Sequence, residues 1–234
     1  MSAATVQRRL QELEDPQIAV FLQKFFKTGP GEYGEGDLFR GIRVPLLRKL
    51  AKAFQHLTLT ETKELLRSSY HEDRLLALLI LTRACVSGDD PLRKRIFNFY
   101  LNNTRFVNNW DLVDSSAPQI VGGYLWDKDR DVLYRLARSR QLWNRRIAIM
   151  ATFYFLKRDQ YADTLEIAKL LLSDREDLIH KAVGWMLREV GIRNREVEES
   201  FLLKHYERMP RIMLRYSIEK FPQSRRQRYL RGKV

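Results

Sequence analysis

Apolar residues recur at the three- and four-residue spacing of helix faces almost from end to end, and no convincing alternating run suggests a strand. Short polar breaks separate segments of roughly 10–17 residues: Ser87-Gly88-Asp89-Asp90-Pro91, Asn102-Asn103, Asp127 to Asp129, Arg158-Asp159, Ser173-Asp174 and Gly191 to Asn194. Asp15-Pro16 reads as an N-cap with proline at the first helical position, opening a helix through Phe26, and Pro45 starts the next. Between them lies one long loop, residues 28–41, with Gly29, Gly31, Gly34, Gly36 and Gly41. It is not a phosphate-cradling loop, because no Gly-Lys-Ser/Thr follows and no strand precedes it. The pattern predicts an all-α fold. It is read as a single domain, residues 1–234, with the Gly-rich loop 28–41 and a basic C-terminal tail, residues 222–234.

The segments come in pairs whose second members start with a charge and turn apolar. Examples are Arg74-Leu75-Leu76-Ala77-Leu78, Arg146-Ile147-Ala148-Ile149-Met150, Lys181-Ala182-Val183-Gly184-Trp185-Met186 and Arg211-Ile212-Met213-Leu214. Their spacing of roughly 31–39 residues, with the Trp110 segment counted as one unit, fits an α-solenoid of HEAT-like antiparallel helix pairs. Such stacks curve, and a concave basic face suits a duplex.

One stretch, Asn108 to Pro118, breaks several local rules together. On a helix Trp110 and Asp114 share a face. Val113, Ala117, Ile120 and Val121 form the apolar stripe, with Trp110 inside it and Asp114 at its edge, so the carboxylate is expected to be partly desolvated. Pro118 cannot donate to the carbonyl of Asp114. The alternative is a helix that starts at Ser115 or Ser116 and holds Pro118 in its first turn.

Composition narrows the partners. With 44% apolar residues and 11% aromatics a core is assured, while the net charge of +13 points to a polyanion, nucleic acid before membrane. Cys85 is the only cysteine and sits in an apolar run, so it reads as a buried thiol. The four histidines, His56, His71, His180 and His205, show no ligand spacing, and no metal or other cofactor is expected. No apolar run reaches the roughly 20 residues of a membrane span. Residues 1–15 do not resemble a signal peptide, so a cytoplasmic location is expected, or a nuclear one in a eukaryote.

On the helical wheel Trp185 lies about 150° from the stripe of Ile179, Val183, Met186, Leu187 and Val190, with Lys181 and Arg188 beside it. The alternative to an exposed functional indole is a neighbouring repeat that covers it. Arg145 and Arg146 open the predicted helix Trp143 to Leu156, which is apolar nearly all round. They read either as phosphate contacts or as partners of a buried carbonyl or carboxylate. The tail Arg225 to Lys233 reads as a solvated end or as a non-specific phosphate contact.

Four stretches resemble a known family, the bacterial AlkD-type alkylpurine DNA glycosylases built of HEAT-like repeats. They are Phe39-Arg40-Gly41-Ile42-Arg43-Val44-Pro45, Trp110-Asp111-Leu112-Val113-Asp114-Ser115, Trp143-Asn144-Arg145-Arg146-Ile147-Ala148 and His180 to Glu189. The resemblance implies an active cleft of Trp110, Asp114 and Trp185, and a DNA-contacting role for Arg146. Arg145, Lys181, Arg188 and Arg43, in or beside the matching stretches, are counted with it. It implies a metal-independent, monofunctional glycosylase that hydrolyses the N-glycosidic bond of cationic N3- or N7-alkylated purines. The expected partner is double-stranded DNA containing such lesions, bound by a monomer with no membrane association. The chain departs from the family in its longer Gly-rich loop, in Phe21 at the place of an N-terminal aromatic, and in the added basic tail. A non-catalytic HEAT-like nucleic-acid-binding module is the alternative, and a protein-binding solenoid with an acidic partner is a third reading.

Overall fold

The computed structural model describes residues 2–234, and the chain divides into two compact units, Met1–Ile120 and Val121–Val234. Both are helical. Among the described residues the only β contact is an isolated bridge between Leu38 and Tyr70.

The first unit holds α1 (Ala3–Gln11), α2 (Pro16–Phe25), α3 (Val44–Ala53), α4 (Leu59–Leu66), α5 (His71–Ser87), α6 (Asp90–Leu101) and α7 (Trp110–Ala117). Side-chain caps fix the starts. Asp15 accepts from the amides of Gln17 and Ile18 at 3.0 and 3.1 Å ahead of Pro16, and Asp89 accepts from Leu92 at 3.0 Å. α5 is the centre of the unit. Its residues 71–81 are all buried, and it packs against α3, α4, α6 and α7. A helix enclosed on every side needs apolar residues all round, which is why its sequence shows no polar face over Leu75–Leu81. α7 starts at Trp110, with Asn109 as its cap, so Ser115 and Ser116 lie inside the helix and not at its start. Past Ala117 the chain takes a π-helical turn, Pro118–Gly122, where proline removes a donor from the regular ladder.

The second unit holds α8 (Asp131–Ala137), α9 (Leu142–Ala151), α10 (Phe153–Leu156), α11 (Ala162–Leu170), α12 (Asp177–Arg193), α13 (Arg195–His205), α14 (Arg211–Ser217) and α15 (Gln223–Leu230). Here α12 is central, packed on α9, α11, α13 and α14. Two glycines permit the closest approaches. A Cβ on Gly122 would meet the Ala151 carbonyl oxygen at 2.1 Å and the Tyr154 Cβ at 2.8 Å; on Gly184 it would meet the Met213 carbonyl oxygen at 2.5 Å and the Tyr216 Cβ at 2.6 Å. Both glycines thus meet a carbonyl and, three residues later, a tyrosine. The shared register marks a repeated packing unit.

Two expectations change and one is placed more closely. The apolar segment Trp143 to Leu156 is broken at Thr152, whose buried hydroxyl donates to the Ile149 carbonyl at 2.7 Å, giving α9 and α10. The break read at Gly191 to Asn194 falls at Asn194, between α12 and α13, so Gly191 lies inside α12, where its missing side chain makes room for the Glu198 carboxyl. The basic tail is not a loose end. Most of it forms α15, pinned by the buried Tyr229 edge-on to Tyr206 and Phe221 at 5.6 and 5.7 Å. Among the described residues no helix is long and apolar enough to cross a membrane.

Candidate active site

α7 carries Trp110 and Asp114 one turn apart, both half-buried, on a helix whose other side (Leu112, Val113, Ser116 and Ala117) is buried in the unit. The Asn109 side chain accepts from the Trp110 amide at 2.8 Å and fixes where the helix begins. The indole rests on Phe26, stacked at 5.3 Å and 22°, and meets Phe25 edge-on at 6.1 Å. Phe26 in turn stacks on Phe39 and on His71 at 5.1 and 4.9 Å. Phe25 and its neighbour Phe21, 6.2 Å away, are largely exposed. Trp110 therefore stands at the top of an aromatic column, its orientation set by rings from α2, the Gly-rich loop and α5. Asp114 makes its charge felt inside the unit. The Tyr100 hydroxyl, bonded to Ser116 at 3.0 Å, is pushed up by burial and further by the Asp114 charge, against the opposing pull of that bond.

Beneath the column lies an ionic network that sequence reading missed. His71 is buried between two acids. Its Nε2 donates to Asp111 at 2.8 Å and its Nδ1 to Asp37 at 3.3 Å. Burial works against a charged imidazole, but the charge and hydrogen bond of Asp111, with the bond to Asp37, push its pKa up to about 9. Asp37 is also paired with the buried Arg74 at 2.7 Å. Burial alone would raise the Asp37 carboxyl; the His71 hydrogen bond and the Arg74 charge overcome it and hold it down. Next along α5, Glu72 accepts from the amides of Arg40, Gly41 and Ile42 at 2.9, 2.8 and 3.1 Å. Asp73 takes the Arg40 fork at 2.6 and 3.1 Å, and Arg40 also pairs with Glu14. Gly41, at φ 82, is where the loop turns; a Cβ there would strike the Asp15 carbonyl oxygen. Four successive charged residues, His71 to Arg74, thus lock the Gly-rich loop and α7 to the start of α5. The one available signal was that this charged quartet abuts the chain's most apolar helix. The sequence positions of the histidines show no ligand spacing, and no cluster able to hold a metal ion occurs among the described residues.

The other expected site residues sit in the second unit, apart from Arg43, which is exposed at the cap of α3. Trp185 is half-buried on α12. Its ring lies 5.9 Å from Phe153 of α10, and its Nε1 donates to Glu189 at 3.1 Å. A neighbouring helix therefore covers part of the indole. Arg146 departs from the reading as a projecting phosphate ligand: only 5% exposed, it donates to the Leu178 carbonyl between α9 and α12. Arg145 forks onto Asp174 at 2.5 and 3.1 Å and also donates to the Ser139 and Arg140 carbonyls. Arg188 pairs with Glu219. These three arginines tie segments of the second unit together, and Arg145 and Arg188 are paired with carboxylates. Among the described residues the side chains of Lys181 and Arg43 have no hydrogen-bonding or ionic partner, and they remain available to an anion.

A fold built of stacked helices with repeated close contacts places the protein among the all-α helical-repeat solenoids. More narrowly, the chain belongs to the family of DNA alkylation repair enzymes, whose family model matches residues 6–221. Its fold is shared with a solved structure described as a predicted DNA alkylation repair enzyme from Enterococcus faecalis. That match has TM-score 0.69 at 16% sequence identity and covers 90% of this chain and 97% of that one. No curated protein sequence matches.

Proposed function

We propose that the protein is a monofunctional DNA glycosylase that releases cationic N3- or N7-alkylated purines from duplex DNA. The observation that carries this reading is the half-buried Asp114, one turn from an indole held upright on an aromatic column, in a chain of the alkylation repair family. An alkylated purine carries a positive charge. When its glycosidic bond breaks, the bonding pair neutralises the base, so the leaving group needs no strong general acid. Positive charge then builds on the sugar. A carboxylate about 4 Å away interacts with it by roughly 4 kcal/mol at an effective dielectric of 20, on the order of a thousandfold in rate if realised only in the transition state. Water attacks the sugar carbon and loses a proton, with Asp114 placed to orient it. The π face of Trp110 favours a cationic nucleoside over a neutral one by about 0.5–2 kcal/mol. Lys181 and Arg43 serve as phosphate contacts, and Trp185, on the second unit, offers a further π face to a cationic group. Water is the nucleophile, so the strand is left intact at an abasic site.

The test is incubation with methylated genomic DNA followed by chromatography of the released bases, for the parent and Asp114→Asn. The parent should release methylated purines, and the variant should bind duplex normally while excision falls by roughly two to three decades. Equal release by both would remove Asp114 from the chemistry. Duplex binding without any release would favour a non-catalytic DNA-binding module.

A further inference from the structure

The C-terminal helix pair builds a second feature within the second unit, and its last helix, α15, lies past residues 6–221, which the family model matches. α14 and α15 flank an open groove of about 320 Å³, lined by Arg211, Arg215, Gln223, Arg226, Gln227 and Leu230. Three guanidinium groups and two side-chain amides line it, and no carboxylate does. The groove is firmly framed. Tyr229 buries α15 against Phe221 and Tyr206, Arg225 pairs with Glu199 at 3.2 Å, and Arg211 donates to the Leu230 carbonyl at 2.8 Å. The charges that face the groove are left over from this framing. Arg215 is exposed with no acidic partner, and the buried Nε of Arg226 has no hydrogen-bond partner among the described residues. A lining of guanidinium groups with no carboxylate costs free energy through mutual repulsion and unmade hydrogen bonds, and an anion relieves both. The surrounding sequence has the same bias, with nine Lys and Arg in residues 208–234 against one acid, Glu219.

We propose that this groove is a binding site for backbone phosphates of nucleic acid, formed by Arg215 and Arg226 with the two glutamine amides beside them. Guanidinium forks match phosphate oxygens two at a time, and glutamine amides add neutral donors. The groove is open rather than enclosed, which suits a phosphate that belongs to a polymer running past it. This assignment stands whether or not the protein is a glycosylase, because it concerns where an undamaged backbone is held.

The test uses the full chain and undamaged duplex DNA, with binding followed by fluorescence anisotropy across a salt series. Arg215→Gln/Arg226→Gln should weaken binding on the order of tenfold and lower the salt slope by about 1–2. A control with the same charge change outside the groove, Arg231→Gln/Lys233→Gln, should have a much smaller effect. Equal losses in the two variants would show diffuse attraction and overturn the site. Unchanged duplex binding, with inorganic phosphate raising the melting temperature of the parent but not of the groove variant, would make this a pocket for a free anion and overturn the backbone assignment. Circular dichroism on each variant separates these outcomes from loss of fold. If α15 detaches, the single variant Arg215→Gln, on α14, keeps the test: its slope should fall by about one, and an unchanged slope overturns the proposal.

Discussion

The network under Trp110 makes the stability of the first unit depend on pH in a way that one substitution should isolate. His71 faces Asp111 from α7, Asp37 from the loop and Arg74 from its own helix, and its pKa is about 9 against 6.5 in an unfolded chain. A folded pKa above the unfolded one gives stability that is fully present below pH 6.5 and is lost as pH rises through 9. The gap corresponds to roughly 3 kcal/mol at 1.36 kcal/mol per decade. Asp111→Asn keeps the side-chain shape and the oxygen that accepts from the Leu112 amide but removes the charge that most raises the His71 pKa. Urea melts at pH 6.0 and pH 9.5 should show the variant about 2–3 kcal/mol less stable than the parent at the lower pH and nearly equal at the higher. Trp110 fluorescence should shift with the same titration, because the indole and His71 both rest against the Phe26 ring. A stability difference that stays constant across this range would refute an ionic His71–Asp111 bond and leave only a packing role.

Glu198 has the opposite charge, but its effect has the same sign. Burial pushes its carboxyl up to about 8 against 4.5 unfolded, so it costs stability progressively as pH rises from 4.5 to 8; Glu198→Gln should flatten that slope in urea melts and stabilise the protein above pH 8. Arg146→Ala should lower the melting temperature and leave the salt slope of duplex binding unchanged, whereas Lys181→Ala should flatten the slope by about one at constant stability; the reverse pattern would restore Arg146 as a phosphate ligand. Trp185→Ala should cost about 2 kcal/mol in urea melts, as a half-buried indole resting on Phe153, and should also slow single-turnover excision of cationic bases three- to thirtyfold. Loss of stability alone would leave Trp185 as a packing residue.

The sequence by itself determined what depends on near neighbours. Helix starts followed Asp15-Pro16 and Asp89-Asp90-Pro91 because a cap and a proline act within one turn. The shared face of Trp110 and Asp114 followed from helical periodicity once the helix began at Asn109. The all-α class followed from the same periodicity. What each wheel position would meet was decided only by tertiary structure. Arg146, Arg188 and Lys181 are alike in a local reading, yet Leu178 and Glu219 answer the two arginines and leave the lysine unpaired. His71 looked isolated because Asp37 and Asp111 lie 34 and 40 residues away in the chain. The break at Gly191 to Asn194 was legible, but that Gly191 itself lies in the helix and makes room for the Glu198 carboxyl was not. The tail looked free until Tyr229 found a place between Tyr206 and Phe221. Periodicity gives the direction in which a side chain points. The partner it meets there comes from a distant part of the chain, and only the folded packing brings the two together.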